Sequence, residues 1–100
     1  VMAAITDCAN RSEYGHVAIA KELGLGVRTL QRRIAEHGTT LRALVERVRE
    51  ANAVAFLDNP ALSIDEVAIL LGYTHERAFR RAFERWQGQS PAAFRRARSP

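Results

Sequence analysis

Two stretches of this chain repeat one pattern of small, apolar and arginine residues, and the repetition leaves few folds open. In the first, Ala20, Leu23 and Gly24 precede Leu30, Arg32 and Ile34. About 48 residues on, Ala68, Leu71 and Gly72 precede Phe79, Arg81 and Phe83, with a turn one residue longer. A short helix, a glycine-bearing turn and a longer arginine-studded helix make the helix-turn-helix plan. One copy is weak, because many helical hairpins share it. Two copies in the same register are far more specific.

The rest of the chain reads as helix throughout, with no sustained strand alternation. The spacing predicts seven helices, near residues 3–9, 16–23, 27–37, 40–58, 63–71, 75–87 and 90–96. Gly24 and Gly38 break the chain in its first half, Asn59-Pro60 ends the longest helix, and Gly72 marks the next turn. Thr39 or Thr40 is placed to cap the long helix. Ser63-Ile64-Asp65-Glu66 reads as a capping box, and Ser90-Pro91 as a capped start with proline in the first turn. The expected apolar stripes are Val17, Ala20 and Leu23; Leu30 and Ile34; Leu41, Leu44, Val45 and Val48; and Phe79, Phe83 and Trp86. The fold class expected is therefore all-α. Its domain, over 1–100, comprises a helix-turn-helix subdomain at 3–38, a linker helix at 40–58 and a second subdomain at 63–98.

Charge narrows the function. Of 15 basic residues fourteen are arginine, against 11 acidic residues, for a net charge of +4. Their distribution carries the meaning. On the first longer helix, the i, i+3, i+4 geometry that turns Leu30 and Ile34 inward groups Arg28, Gln31 and Arg32 on an outward face. On the second, Phe79 and Phe83 turn inward while Arg77, Arg80 and Arg81 turn out. Arg28 and Arg32, and again Arg77, Arg81 and Arg85, are like charges at i, i+4 spacing, each pair costing a free helix roughly 0.2–0.5 kcal/mol. Phosphates and base edges would supply the missing anions. The plainer alternative for single residues is a surface ion pair, Arg80 with Glu84 or Arg32 with Glu36.

Other chemistry finds little support. His16, His37 and His75 share no metal-binding spacing and each sits at a helix end, so no metal is expected. The single Cys8 excludes an internal disulfide, suits a reducing cytosol and has no neighbour in sequence that would activate it, so it reads as a small buried residue. No phosphate-cradling glycine loop follows a strand and no nucleophile–base–acid set is spaced for catalysis, so neither an enzyme nor a cofactor is expected. No apolar run reaches the roughly 18 residues of a membrane span. The chain opens at Val1, almost directly into structure, and is expected to be a C-terminal piece of something longer.

These residues also resemble a known family. Residues 24–34, Gly-Leu-Gly-Val-Arg-Thr-Leu-Gln-Arg-Arg-Ile, resemble the first recognition-helix signature of the AraC/XylS family of bacterial transcription regulators. Leu71-Gly72-Tyr73 with residues 78–83 resembles the second, and residues 86–95, Trp86-Gln87-Gly88 through Phe94-Arg95, resemble the closing motif. Arg49, Ala53 and Leu57 fit the central helix. The likeness runs over about residues 17–96. It implies two helix-turn-helix units joined by one long helix, with both recognition helices in adjacent major grooves of promoter DNA. It also implies base reading by Arg28, Gln31 and Arg32, then by Arg77, Arg80 and Arg81. One departure is Gly26, where the family usually has a serine that caps the helix.

A linker helix over 40–58 spans roughly 28 Å at about 1.5 Å per residue. Major-groove faces on one side of DNA lie about 34 Å apart, which the side chains and turns bring within reach. The function expected is thus sequence-specific binding of double-stranded promoter DNA in the cytoplasm, with RNA polymerase as a candidate protein partner. No small-molecule ligand is expected of this piece, whose sensing domain would lie elsewhere. The competing reading is a helical interaction module that offers its arginine faces to an acidic protein.

Overall fold

A computed structural model describes residues 1–98, and Ser99 and Pro100, which the expected domain includes, lie outside the described residues. Among the described residues the chain forms seven helices and no strand. They are α1 (Met2–Ala9), α2 (His16–Glu22), α3 (Val27–Ala35), α4 (Leu41–Leu57), α5 (Ile64–Leu70), α6 (Glu76–Gln87) and α7 (Pro91–Arg98). The chain divides into two compact units, Val1–Arg49 and the part from Glu50 onward, with the boundary inside α4.

Each break follows from local chemistry. Gly24 and Gly72, which occupy the same place in the two repeats, have φ of +68° and +82°. A side chain is strained in that region, and the turn after the first helix of each repeat depends on it. The hydroxyl of Thr40, rather than Thr39, accepts from the Ala43 amide at 3.1 Å and caps α4. Ser63 and Glu66 form the reciprocal capping box, each side chain accepting from the other's backbone amide at 3.0 Å. The Ser90 hydroxyl accepts from the Ala93 amide at 3.1 Å, with Pro91 as the first residue of α7.

In the first unit α2 packs on α1 and on α3. Its core holds Ile5, Cys8, Ile19, Leu30 and Leu41, with Ile34, Val45 and Val48 around them. The stripe expected on α2 is corrected here. Val17 is 72% exposed and Leu23 is exposed too, while Ile19 and Ala20 are buried. Leu44 is half-buried rather than core. Arg11 ties the α1–α2 turn together, donating to Glu13 at 3.0 Å and to Glu22 at 3.2 Å. Burial pushes the Cys8 thiol above its ordinary range, and the pull of Arg11 the other way is weaker. The Arg49 guanidinium lies 4.6 Å over the buried Tyr14 ring.

In the second unit α6 packs on α5 and on α7 around an aromatic cluster. Phe83 is its centre, with ring centroids 5.8 Å from Phe79, 6.5 Å from Trp86 and 5.2 Å from Phe94, all edge-on. Edge-on contacts match the positive rim of one ring to the negative face of another. Trp86, expected in the core, is only half-buried. It sits at the margin of the stripe, and so large a ring system is rarely enclosed completely. Beyond the aromatic cluster, Arg95 donates to the carbonyl of Leu57 at 3.0 Å and to that of Asn59 at 3.3 Å. Leu57 is the last residue of α4, where carbonyls lack a partner within the helix, and the Asn59 carbonyl also accepts from the Leu62 amide at 3.1 Å. Arg98 holds Asp58 through two bonds of 2.7 and 2.9 Å, and this keeps the Asp58 carboxyl below the usual carboxylate range.

Candidate nucleic-acid interface

The second helix of each repeat is anchored from beneath. On α3, Leu30 and Ile34 are buried, which turns Arg28, Gln31 and Arg32 outward, and all three are exposed. On α6, Phe79, Ala82 and Phe83 are buried, and Arg77, Arg80 and Arg81 are exposed. Each expected trio therefore shares an outer face of one helix. The two trios belong to different units.

The electrostatics separate the six residues. Among the described residues no ion pair engages Arg28, Arg32, Arg77 or Arg81. The pair considered between Arg32 and Glu36 is thus not made. Arg80 does find an anion, but not the one expected: it donates to Glu76 at 2.8 Å, one turn toward the N-terminus, instead of to Glu84. A helix side chain leans back toward the preceding turn, which favours the partner at i−4. Glu76, missed in the sequence, was legible there as an acid four residues before an arginine. Beside it His75, Arg77, Ala78 and Arg81 line a shallow hollow on the surface of α6. With four unpaired guanidiniums on two exposed faces, this arrangement suits a polyanion that presents hydrogen-bond acceptors.

Both helices start without a side-chain cap, α3 behind Gly26 and α6 behind His75. Gly26 has an ordinary extended backbone, φ −74° and ψ 154°, and a Cβ there would meet nothing within 4 Å. Gly26→Ser is therefore expected to raise stability by a few tenths of a kcal/mol by supplying the missing cap. Thermal unfolding of the two chains side by side measures this, and a lower Tm for the serine variant would contradict it.

The chain is similar to known proteins in sequence and in fold. Residues 19–97 match the family described as a helix-turn-helix domain. The transcriptional regulator VqsM of Pseudomonas aeruginosa is 42% identical over 79 residues, covering 79% of this chain and 24% of VqsM. The chain spans about a quarter of the length of the curated relatives it matches. Among solved structures, the C-terminal domain of AraT, a response regulator from Geobacillus stearothermophilus, superposes with a TM-score of 0.84 at 28% identity, covering 99% of this chain and 83% of that one. The DNA-binding domain of the global transcriptional factor AdpA, solved in complex with a target DNA, gives 0.77 at 28% identity, covering 96% and 90%.

Proposed function

The chain belongs to the AraC/XylS-type helix-turn-helix family, and from that membership we propose that the outer faces of α3 and α6 read promoter DNA for a transcription regulator. One observation carries the reading: the same face recurs in both repeats, and its cations Arg28, Arg32, Arg77 and Arg81 have no ion-pair partner among the described residues. Recognition helices contact base edges through their N-terminal residues. Arginine forks onto the O6 and N7 of guanine, and glutamine spans the N6 and N7 of adenine. Arg28, Gln31 and Arg32 then form a mixed reader of G and A edges, while Arg77, Arg80 and Arg81 favour guanine. The site is bipartite and non-palindromic, with two readable patches about 10 base pairs apart. A regulator held on a promoter in the cytoplasm meets RNA polymerase there, and the polymerase is its proposed protein partner.

Enrichment of random duplexes, repeated with single variants, tests this. Arg32→Ala is expected to cost about 1–3 kcal/mol and to relax one base position. A residue that only grips phosphate would instead weaken all sequences alike and lower the salt slope by about one. Absence of any preference over scrambled duplex would favour the acidic-protein reading. A motif confined to one patch and indifferent to changes at Arg77, Arg80 and Arg81 would remove α6 as a reader.

A further inference from the structure

The two outer faces differ in one respect that the repeat makes visible. Arg80 of α6 occupies the place that Gln31 holds in α3, and Glu76 the place of Val27. The first face has a neutral reader with no acid behind it. The second has a cation with a carboxylate one turn back, in bonded contact at 2.8 Å. Glu84, equally spaced on the other side, makes no bond to Arg80. Glutamate N-terminal to its basic partner at i, i+4 is also the favourable order on a helix.

Two physical effects follow from the contact. Glu76 is bonded to one terminal nitrogen, Nη2, which carries a second proton, so one two-donor edge of the guanidinium stays free for a second partner. The carboxylate also cancels the local charge, so Arg80 gains little by moving onto a phosphate, whose attraction is Coulombic and indifferent to sequence. A fork held in place and stripped of net charge still hydrogen-bonds a base edge directionally.

We infer that Glu76 is a positioning residue that sets base specificity in the second unit, by holding Arg80 off the phosphates and aiming it at a guanine edge. This rests on α6 being a reader of DNA. It adds that the division of labour on α6 is fixed within the helix, with Arg77 and Arg81 as the free cations and Arg80 as the held one.

The test compares the unaltered chain with Glu76→Gln, Glu84→Gln and Arg80→Ala, by random-duplex enrichment and by affinity across a salt series. Glu76→Gln keeps the side-chain length and releases the charge on Arg80. Preference for guanine at one position under the second unit is expected to fall about tenfold. The slope of log affinity against log salt is expected to steepen by about one, as Arg80 moves to a phosphate. Arg80→Ala is expected to lose the same base position. Glu84→Gln removes an equal charge from the same helix without touching Arg80, so its motif is expected to stay unchanged.

The inference is overturned if Glu76→Gln keeps the preference, if Glu84→Gln loses it equally, or if Arg80→Ala leaves that position intact. Failure of the underlying reading looks different. The unaltered chain would then show no preference under the second unit, or none anywhere, before any variant was compared.

Discussion

Raising the salt from about 50 to 200 mM is expected to weaken duplex binding about 3.5-fold for each phosphate that the chain neutralises, so two to four such contacts compound to roughly 10- to 150-fold. Each releases condensed counterions worth about 0.9 in the slope of log affinity against log salt. Arginines forked onto base edges add little to that slope, which therefore counts the phosphate contacts separately from the readers. Fluorescence anisotropy of a labelled duplex across the series reads the slope directly. A flat response would mean that the outer faces of α3 and α6 do not meet a polyanion at all.

The second large effect is on stability. Phe83→Ala is expected to destabilise the second unit by about 3–5 kcal/mol, since the ring is fully buried and touches Phe79, Trp86 and Phe94. Small domains are held by only about 5–15 kcal/mol in all, so this single change brings the unit close to unfolding at room temperature. Trp86 is the one tryptophan, and its fluorescence in a urea titration reports on this unit directly. Ile69→Ser supplies the contrast. Although Ile69 is a large apolar residue in α5, it is 63% exposed, and its loss is expected to stay within about 0.5 kcal/mol. Equal shifts for the two variants would mean that the core of this unit lies elsewhere.

The contrast between Phe83 and Ile69 also shows what the sequence could carry. Helix ends were legible because they are written in chemistry that acts locally. A glycine at positive φ, a serine hydroxyl over the first turn and a proline after it work within four residues of one another. The outward trios were legible too, because on α3 and α6 a strong apolar stripe leaves a single way round. On α2 that signal fails. Val17, Ala18, Ile19 and Ala20 are consecutive and apolar, so every side of so short a helix offers a stripe. Packing against α1 and α3 then selects Ile19 and exposes Val17. Trp86 was placed on the right stripe, but spacing does not say how near the edge a stripe runs. The choice of Glu76 over Glu84 by Arg80 was legible in order rather than in spacing: both carboxylates are four residues away, but the acid N-terminal to its basic partner is the favoured arrangement.

The end of α4 gives the two units different histories during synthesis. The first unit is made of Val1–Arg49, so its own residues are all in place while the second unit is still being made. In the second, the Leu57 carbonyl waits for Arg95, Asp58 waits for Arg98, and Phe83 waits for Phe94. A chain made from its N-terminus, folding unit by unit, thus has α3 mounted early. Helix α6 acquires its support only as the last turns of α7 emerge, and until then its aromatic surface stands open.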